Sequence, residues 1–283
     1  MSAHDQRAQP IGVFDSGVGG LTVLGALQLE LPGEDFLYLG DTARLPYGTK
    51  SPQTVIRYAL AAADVLVRRG VKALVVACNT ASAAALPAMR ERHAPLPVIG
   101  VVEPGAQAAV AASRSGHIAV IGTEATVRGG TYQAAITRLR PDAVVRAMAC
   151  QVFVALAEEG WIDGAVARDA AQRYLVPLFS LKGEGDIASD TLVLGCTHFP
   201  LLLPIIRQSV GTAVNIVDSA ATTARAVHQR LEAQALLREP RPSGGGIGSL
   251  RFLATDGVAR FAAIGGRFLG VAIAPDEVEL LDI

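Results

Sequence analysis

The sequence predicts an α/β protein in which mainly parallel sheets are flanked by helices. Short apolar runs alternate with longer amphipathic stretches along the chain, and such alternation is typical of parallel sheets with right-handed crossovers. Several of these runs are continuously apolar and rich in β-branched residues, as in strands that are buried on both faces of a sheet. One strand-and-cysteine pattern also occurs twice, which indicates a duplicated α/β unit.

The individual elements follow from the periodicity of the apolar residues. Strands are predicted at residues 11–14, 36–39, 73–77, 98–102, 118–121, 144–147, 192–194, 214–217 and 251–254. Helices are predicted at residues 52–69, 81–92, 105–113, 127–139, 165–179, 201–208 and 220–237, with a further helical run after the glycine-rich residues 15–20. The segment 240–249 is predicted to be a mobile surface loop, because it cannot bury enough apolar surface to offset its ordering entropy.

The composition excludes several classes of protein. Of the 283 residues, 51% are hydrophobic and 18% are charged, a mixture that excludes an intrinsically disordered chain. The formal net charge is -1, so no strong overall field would attract nucleic acid or an anionic membrane, and neither partner is expected. No uncharged run is long and apolar enough to span a membrane, and no secretory signal is visible. We therefore expect a soluble, cytoplasmic protein.

Two of the three cysteines lie in matching positions at the ends of predicted strands. Cys78 follows the apolar run 73–77, and Cys196 follows the run 191–195. Ligands in open α/β sheets bind at the carboxyl ends of the strands, so both thiols would face a common crevice if the two units pack face to face. A free cysteine is often only a buried packing residue, which is our interpretation of the third, Cys150.

Two opposed thiols are compatible with three kinds of chemistry. A redox disulfide is disfavoured because the familiar Cys-x-x-Cys spacing is absent. A zinc site formed by Cys78, Cys196 and His198 lacks the usual spacing of paired cysteine ligands. Acid–base chemistry on the two faces of one carbon atom needs a pair of like groups, because the reverse reaction exchanges their roles. The residues favour this third alternative.

The glycine-rich stretch DSGVGG at residues 15–20 lies between a predicted strand and a helical run. It is interpreted either as a tight turn with Asp15 as a local cap, or as a loop in which backbone N–H groups and Ser16 bind a carboxylate. A dinucleotide site is weakly supported, because the Gly-x-Gly-x-x-Gly pattern from Gly17 ends in Thr22. The Gly-Lys-Ser/Thr ending of a P-loop is absent here.

Polar residues at three further strand ends are candidate site residues, each with a plainer alternative. The loop 41–51 contains a Pro-Tyr-Gly sequence that contacts a ligand or forms a surface turn. Residues 122–126 offer two threonine hydroxyls to a carboxylate, or cap a helix. The histidine two residues after the second cysteine is part of a proton relay or a core residue. These candidates are Pro46, Tyr47, Gly48, Thr123, Thr126 and His198.

Four motifs together resemble those of the glutamate racemases, which are cofactor-independent enzymes of the aspartate/glutamate racemase superfamily. The motifs are DSGVGGLTV at residues 15–23, PYG at 46–48, ACNTAS at 77–82 and LGCTHFP at 194–200. They occur in order and with fitting spacing between residues 11 and 220. The two cysteine motifs are highly specific as a pair, whereas either one alone is only moderately specific.

The resemblance implies two α/β domains, residues 1–97 with 211–283 and residues 98–210, with the active site in the cleft between them. It implies interconversion of L- and D-glutamate without a cofactor or metal, supplying D-glutamate for peptidoglycan. Cys78 would act on the D-enantiomer and Cys196 on the L-enantiomer. The implied assisting residues are Asp15 and His198, with Glu158 in support. The implied substrate-binding residues are Ser16, Pro46, Tyr47, Gly48, Asn79, Thr80, Thr123, Thr126 and Thr197.

The chain departs from the family pattern at two positions outside the cysteine motifs. Gln151 stands where family members often have the proline of Ala-Cys-Pro, and Gly129 stands where a serine is common. The resemblance also implies a homodimer. Two other functions stay open: a racemase of aspartate or another small acid, and a non-catalytic module that binds acidic ligands and merely packs its cysteines.

Overall fold

The computed structural model describes residues 3–179, 187–239 and 247–283 of the chain and contains two sheets. The strands are β1 (Ile11–Asp15), β2 (Phe36–Gly40), β3 (Ala73–Val76), β4 (Val98–Gly100), β5 (His117–Gly122), β6 (Val144–Ala149), β7 (Thr191–Gly195), β8 (Asn215–Asp218), β9 (Leu250–Ala254) and β10 (Val278–Leu280). The first sheet has six strands in the order β10-β9-β2-β1-β3-β4, and the second has four in the order β6-β5-β7-β8. The strand pairs are parallel.

Helices cover both faces of each sheet. They are α1 (Ala3–Ala8), α2 (Leu21–Glu30), α3 (Pro52–Arg68), α4 (Asn79–Arg92), α5 (Val102–Ala112), α6 (Glu124–Gly129), α7 (Thr131–Leu139), α8 (Gln151–Glu159), α9 (Gly164–Phe179), α10 (Leu203–Val210), α11 (Ser219–Ala233) and α12 (Val258–Leu269). Within the described residues, we find no helix with the length and apolar character needed to cross a membrane.

The sheets are buried on both faces, as continuously apolar strands require. In β1, Ile11 and Val13 pack in one core with α2, α11 and α12, while Phe14 packs on the opposite face with α3 and α4. The second sheet is covered by α8, α9 and α10 on one face and by α5 and α7 on the other. Because α11 follows a strand of the second sheet but packs on the first, it joins the two halves of the molecule.

The predicted fold class is confirmed, and each predicted strand is present within a few residues of its expected bounds. The structure adds α1, α8, α12 and β10, which the sequence analysis does not predict. The predicted helix 127–139 is divided, because Gly130 has a φ of 66° and separates α6 from α7. The predicted strand 98–102 ends at Gly100 because α5 begins at Val102. Of the predicted mobile loop, residues 240–246 lie outside the described part of the chain.

Two strands lie in the sheet opposite to the one expected from the predicted domain boundaries. β4 pairs with β3 in the six-stranded sheet, and β8 pairs with β7 in the four-stranded sheet. The division into residues 1–97 with 211–283 and residues 98–210 stays a prediction. If the boundaries follow the sheets, they fall after Gly100 and after Asp218.

The carboxyl ends of the central strands bring the candidate residues together. β1 and β3 are neighbours in the first sheet, and β5 and β7 end in register at Gly122 and Gly195 in the second. The two edges face each other, since Thr22 Oγ1 donates a hydrogen bond to Thr197 O at 3.1 Å. This is the position at which open α/β sheets bind ligands.

Candidate active site

Both cysteines of the matching pair line one small cavity between the two sheets. The cavity has a volume of about 40 Å³, which is enough for at least one water molecule. The predicted residues on its wall are Ser16, Pro46, Tyr47, Gly48, Cys78, Asn79, Thr80, Thr123, Glu158, Cys196, Thr197 and His198. The other predicted residues, Asp15 and Thr126, do not line the cavity. The wall residues that the sequence analysis did not place in the site are Gly17, Leu45, Gln151 and Val154.

Cys78 is the N-terminal cap of α4. Its Sγ accepts a hydrogen bond from Ala81 N at 3.4 Å and donates one to Ser16 Oγ at 3.5 Å. Burial and the nearby Asp15 carboxyl raise the pKa of this thiol to about 12. The helix amide and the Ser16 hydroxyl oppose that rise, because the amide donates to sulfur and the hydroxyl can turn to donate to the thiolate.

Asp15 ends β1 and is buried. Its Oδ2 accepts a hydrogen bond from Gly17 N at 2.8 Å, while Oδ1 has no hydrogen-bond partner among the described residues. Burial raises the pKa of this carboxyl against the attraction of His198. Asp15 therefore holds a proton more readily than an exposed carboxyl would.

The glycines at residues 15–20 permit close approaches in two directions. A Cβ at Gly20 would lie 2.5 Å from Asp15 Cβ, and a Cβ at Gly19 would lie 2.3 Å from Thr197 Oγ1. Both distances are too short for real Cβ atoms. The glycine-rich loop therefore lets the edge of the first sheet lie directly against the residues that follow β7.

Cys196 follows β7 and lies beside an imidazole. Its Sγ is 3.8 Å from His198 Nδ1, and His198 Nε2 is 3.1 Å from Glu158 Oε1. Burial lowers the pKa of His198, but the hydrogen bonds to Cys196 and Glu158 outweigh burial and raise that pKa to about 10. The bond to His198 lowers the pKa of Glu158. The three side chains form a chain of groups through which a proton can move to and from the thiol.

Residues of α12 hold the histidine and the glutamate in place. Phe268 packs edge-on against the His198 ring, with ring centroids 5.1 Å apart. Arg260 Nη2 lies 3.6 Å from Glu158 Oε2, and Arg267 Nη1 donates to Glu158 O at 2.9 Å. The sequence predicts neither α12 nor α8, so these contacts emerge only from the structure.

Three threonine hydroxyls meet where the two sheets face each other. Thr80 Oγ1 lies 2.9 Å from Thr123 Oγ1 and 3.2 Å from Thr126 Oγ1, and the last two atoms are 3.0 Å apart. Thr123 also caps α6, so the helix-cap interpretation of its motif is confirmed, while binding of a carboxylate stays a prediction. Since hydroxyls both donate and accept, this group can present a hydrogen to a carboxylate in the cavity. A Cβ at Gly48 would lie 2.7 Å from Thr123 Cβ, so glycine allows the loop to approach.

Two buried residues position wall residues and were not among the predicted site residues. Tyr132 OH donates to Asn79 Oδ1 at 2.7 Å. The other end of this side chain, Asn79 Nδ2, has no partner among the described residues. Tyr47 OH donates to Asp41 Oδ2 at 2.6 Å. Asp41 directly follows β2, so its position at a strand end could have indicated it. Tyr132 lies within α7, and its local sequence does not distinguish it from an ordinary core aromatic.

Cys150 is buried and does not line the cavity, and burial raises the pKa of its thiol. Across residues 3–179, 187–239 and 247–283 we find no group of three or more His, Cys, Asp or Glu side chains that could hold a metal ion. The three residues of the alternative zinc site, Cys78, Cys196 and His198, are therefore not arranged as a metal-binding group.

Comparisons with known proteins identify the family to which the chain belongs. Residues 25–227 match the family model of the Asp/Glu/Hydantoin racemases. The chain is 51% identical over 260 residues to the glutamate racemase of Geobacter metallireducens, covering 92% of each chain. Its fold matches crystal structures of glutamate racemases from Bacillus anthracis (TM-score 0.88, 37% identity) and, in complex with D-glutamate, from Francisella tularensis (TM-score 0.86, 33% identity), with 98% of both chains covered in each case. The chain therefore belongs to the Asp/Glu/Hydantoin racemase family of isomerases, and within it to the glutamate racemases.

Proposed function

We propose that this enzyme interconverts L- and D-glutamate by proton transfer at the α-carbon between two cysteine bases. The observation that carries the proposal is the position of Cys78 and Cys196 on the wall of one cavity, each following a strand of a different sheet. Two like acid–base groups suit a reaction whose reverse exchanges their roles. The relatives named as glutamate racemases, one of them in complex with D-glutamate, support glutamate as the substrate.

In the proposed reaction, the Cys78 thiolate removes the α-proton of D-glutamate while the Cys196 thiol delivers a proton to the opposite face of the same carbon. The stereocentre inverts, and Cys78 ends as the thiol and Cys196 as the thiolate. L-Glutamate reacts in the reverse sense, with Cys196 as the base. One proton leaves and one arrives, so the proposed reaction needs neither a redox cofactor nor a metal.

The α-proton of an amino acid is far less acidic than a thiol, so the site must stabilise the negative charge that develops on the substrate. Asn79 Nδ2 and the hydroxyls of Thr80 and Thr123 can donate hydrogen bonds to carboxylates. Such bonds are stronger in a buried cavity than in water. Closing of the two edges over the bound substrate would leave little water beside the reacting groups.

The roles that we assign extend to the whole predicted site. The proposed bases are Cys78 and Cys196, the proposed assisting residues are Asp15 and His198, and the proposed supporting residue is Glu158. We assign substrate binding to Ser16, Pro46, Tyr47, Gly48, Asn79, Thr80, Thr123, Thr126 and Thr197. Thr126 acts through its hydrogen bonds to the other two threonines, because it does not line the cavity.

The two thiols are prepared in different ways. Cys78 is a neutral thiol at pH 7, since its pKa is about 12. The ammonium group of glutamate brings a positive charge that favours the thiolate, and the buried Asp15 carboxylate is the nearby base that takes up the proton. At the other thiol, His198 holds and returns the proton while Glu158 orients the imidazole.

The proposal is tested by following the optical rotation of L-glutamate in heavy water. We expect the rotation to decay to zero while deuterium appears at the α-carbon. Racemisation of aspartate but not glutamate would identify a racemase of another small acid. Calorimetric binding of glutamate without deuterium incorporation would contradict the proposal and favour a non-catalytic binding module.

We further propose that the D-glutamate serves peptidoglycan synthesis and that the enzyme works as a cytoplasmic homodimer. The support for these three statements is the resemblance to the glutamate racemases alone. Sedimentation velocity of the purified chain tests the dimer, and a mass equal to that of one chain at every concentration would contradict it.

A further inference from the structure

We propose that Gln151 is a substrate-binding residue whose side-chain oxygen accepts a hydrogen bond from the ammonium group of glutamate. The inference rests on the proposed function and adds to the site a residue at which this chain departs from the family pattern. Gln151 is the first residue of α8 and lines the cavity that contains both thiols.

The side-chain oxygen of Gln151 is buried. Oε1 makes no hydrogen bond to any of the residues that the structure describes. Buried amide oxygens in folded proteins are nearly always hydrogen-bonded. An acceptor of this kind, on a residue that lines a binding cavity, points to a donor that the ligand supplies.

Glutamate offers a donor of the required kind. Its ammonium group donates hydrogen bonds, whereas its two ionised carboxylates only accept them. Two residues that line the cavity carry buried polar atoms of opposite types that find no partner among the described residues, the donor Asn79 Nδ2 and the acceptor Gln151 Oε1. The donor suits a carboxylate and the acceptor suits the ammonium group, so the two side chains together complement an amino acid that carries both charges.

The position of Gln151 along α8 also places it on the cavity wall. Val154 and Glu158 follow it at helical spacing and line the same cavity, so this face of α8 forms the wall on the side of the His198 ring. Gln151 therefore lines the same cavity as both thiols.

The substitution Q151L removes the amide without adding a charge. We expect KM for L-glutamate to rise about tenfold or more, because a hydrogen bond to a charged group is lost. We expect kcat to change little, because the contact is made in the ground state and in the transition state alike. An unchanged KM would overturn the inference.

Q133L is the matched control. Gln133 also has a buried Oε1 without a partner among the described residues, but it lies in α7 and does not line the cavity. We expect this variant to keep the wild-type KM. Thermal unfolding of both variants separates an effect on the site from a loss of folded protein.

Two further measurements identify the group that Gln151 contacts. Q151E keeps an acceptor, so we expect KM to stay near the wild-type value or to fall. Glutarate has both carboxylates but no ammonium group, so we expect it to inhibit wild-type enzyme and Q151L equally well. Weaker inhibition of Q151L by glutarate, or a large rise in KM for Q151E, would overturn the inference by showing that the amide contacts a carboxylate.

Failure of this inference is distinguishable from failure of the proposed function. If the wild-type chain does not racemise glutamate, the proposed function fails, and calorimetry of glutamate binding to wild-type protein and Q151L still tests the contact. If the wild-type chain racemises glutamate and Q151L has the same KM, only the assignment of Gln151 fails.

Discussion

Cys78 and Cys196 follow equivalent buried strands of the two sheets, yet their surroundings differ. Cys78 is a helix cap and contacts the Ala81 amide and the Ser16 hydroxyl. Cys196 instead lies beside His198, whose far side is bound to Glu158. The repeated strand fixes where each thiol stands, whereas the residues after the strand and the packed helices decide how its proton is controlled.

The local sequence explains this difference. After Cys78, the residues Asn-Thr-Ala-Ser continue directly into α4, which places a backbone amide on the sulfur. After Cys196, the residues Thr-His-Phe-Pro lead into the 3₁₀ turn Phe199–Leu202, which contains Pro200. The Cys196 sulfur therefore lies beside an imidazole, whereas the Cys78 sulfur lies beside a backbone amide.

The largest expected effect comes from removing either thiol. C78A and C196A should each lower kcat for racemisation by about 10²–10⁴-fold, because each removes one of the two proposed acid–base groups. Glutamate should still bind in calorimetry. C150A is the control with the third buried cysteine, and it should stay close to wild-type activity because Cys150 does not line the cavity. Turnover above a few per cent of wild type in C78A or C196A would refute the two-base assignment.

The same variants show whether the two thiols act on opposite enantiomers. With β-chloroalanine, removal of the α-proton expels chloride from the β-carbon, and the resulting enamine hydrolyses to pyruvate and ammonia. C196A should release pyruvate only from the D-analogue, and C78A only from the L-analogue. Release of pyruvate from both enantiomers by one variant would mean that a single thiol reaches both faces.

An intermediate effect is expected from the His198–Glu158 pair beside Cys196, which should make the free energy of unfolding depend on pH. The pKa of His198 is raised from 6.5 to about 10, with Glu158 as one cause. The stabilisation from this raised pKa is complete below pH 6.5 and is lost as the pH rises through about 10. E158Q should lower the free energy of unfolding near neutral pH by about 1.5 kcal/mol, because a hydrogen bond to a charged group is lost.

Urea unfolding at a series of pH values provides the measurement. The difference between wild type and E158Q should shrink above about pH 10, where His198 is neutral. It should also shrink as the pH falls through the lowered pKa of Glu158. E124Q is the control, because Glu124 pairs with Arg128 on an exposed helix surface, where such pairs contribute about 0.5 kcal/mol or less. A difference for E158Q that stays constant with pH would contradict the assignment.

The smallest expected effect concerns the Cys78 side. The hydrogen bond to Ser16 opposes the rise in the pKa of Cys78, so S16A should reduce the fraction of thiolate. We expect alkylation of Cys78 by iodoacetamide at mildly alkaline pH to slow by about threefold to tenfold. Mass analysis of the peptides should show Cys196 alkylated at its wild-type rate.

S209A is the control for that measurement, because Ser209 Oγ donates to Ile205 O within its own helix. Faster alkylation of Cys78 in S16A would mean that the hydroxyl favours the thiol instead. Equal slowing at both cysteines would indicate a general closing of the cavity.

Local sequence patterns found the strand ends but missed two helices that complete the site. α12 contains Gly265 and Gly266, which lower its intrinsic helix propensity. In the structure a Cβ at Gly265 would lie 2.8 Å from Leu21 Cδ1, so the glycine allows α12 to pack closely on α2. Tertiary packing therefore outweighs propensity here. Glu158 entered the predicted site through family resemblance, while Gln151 on the same missed helix did not.

The sequence by itself determined the parallel strands and the two cysteine-bearing strand ends, because burial on both faces leaves a continuous apolar pattern that is local to each strand. Only the tertiary structure decided which side chains meet across the two edges. Two hydrogen bonds, between Tyr132 and Asn79 and between Thr80 and Thr123, join elements that are far apart along the chain. Such contacts depend on how whole helices and sheets pack, and no short stretch of sequence encodes that packing.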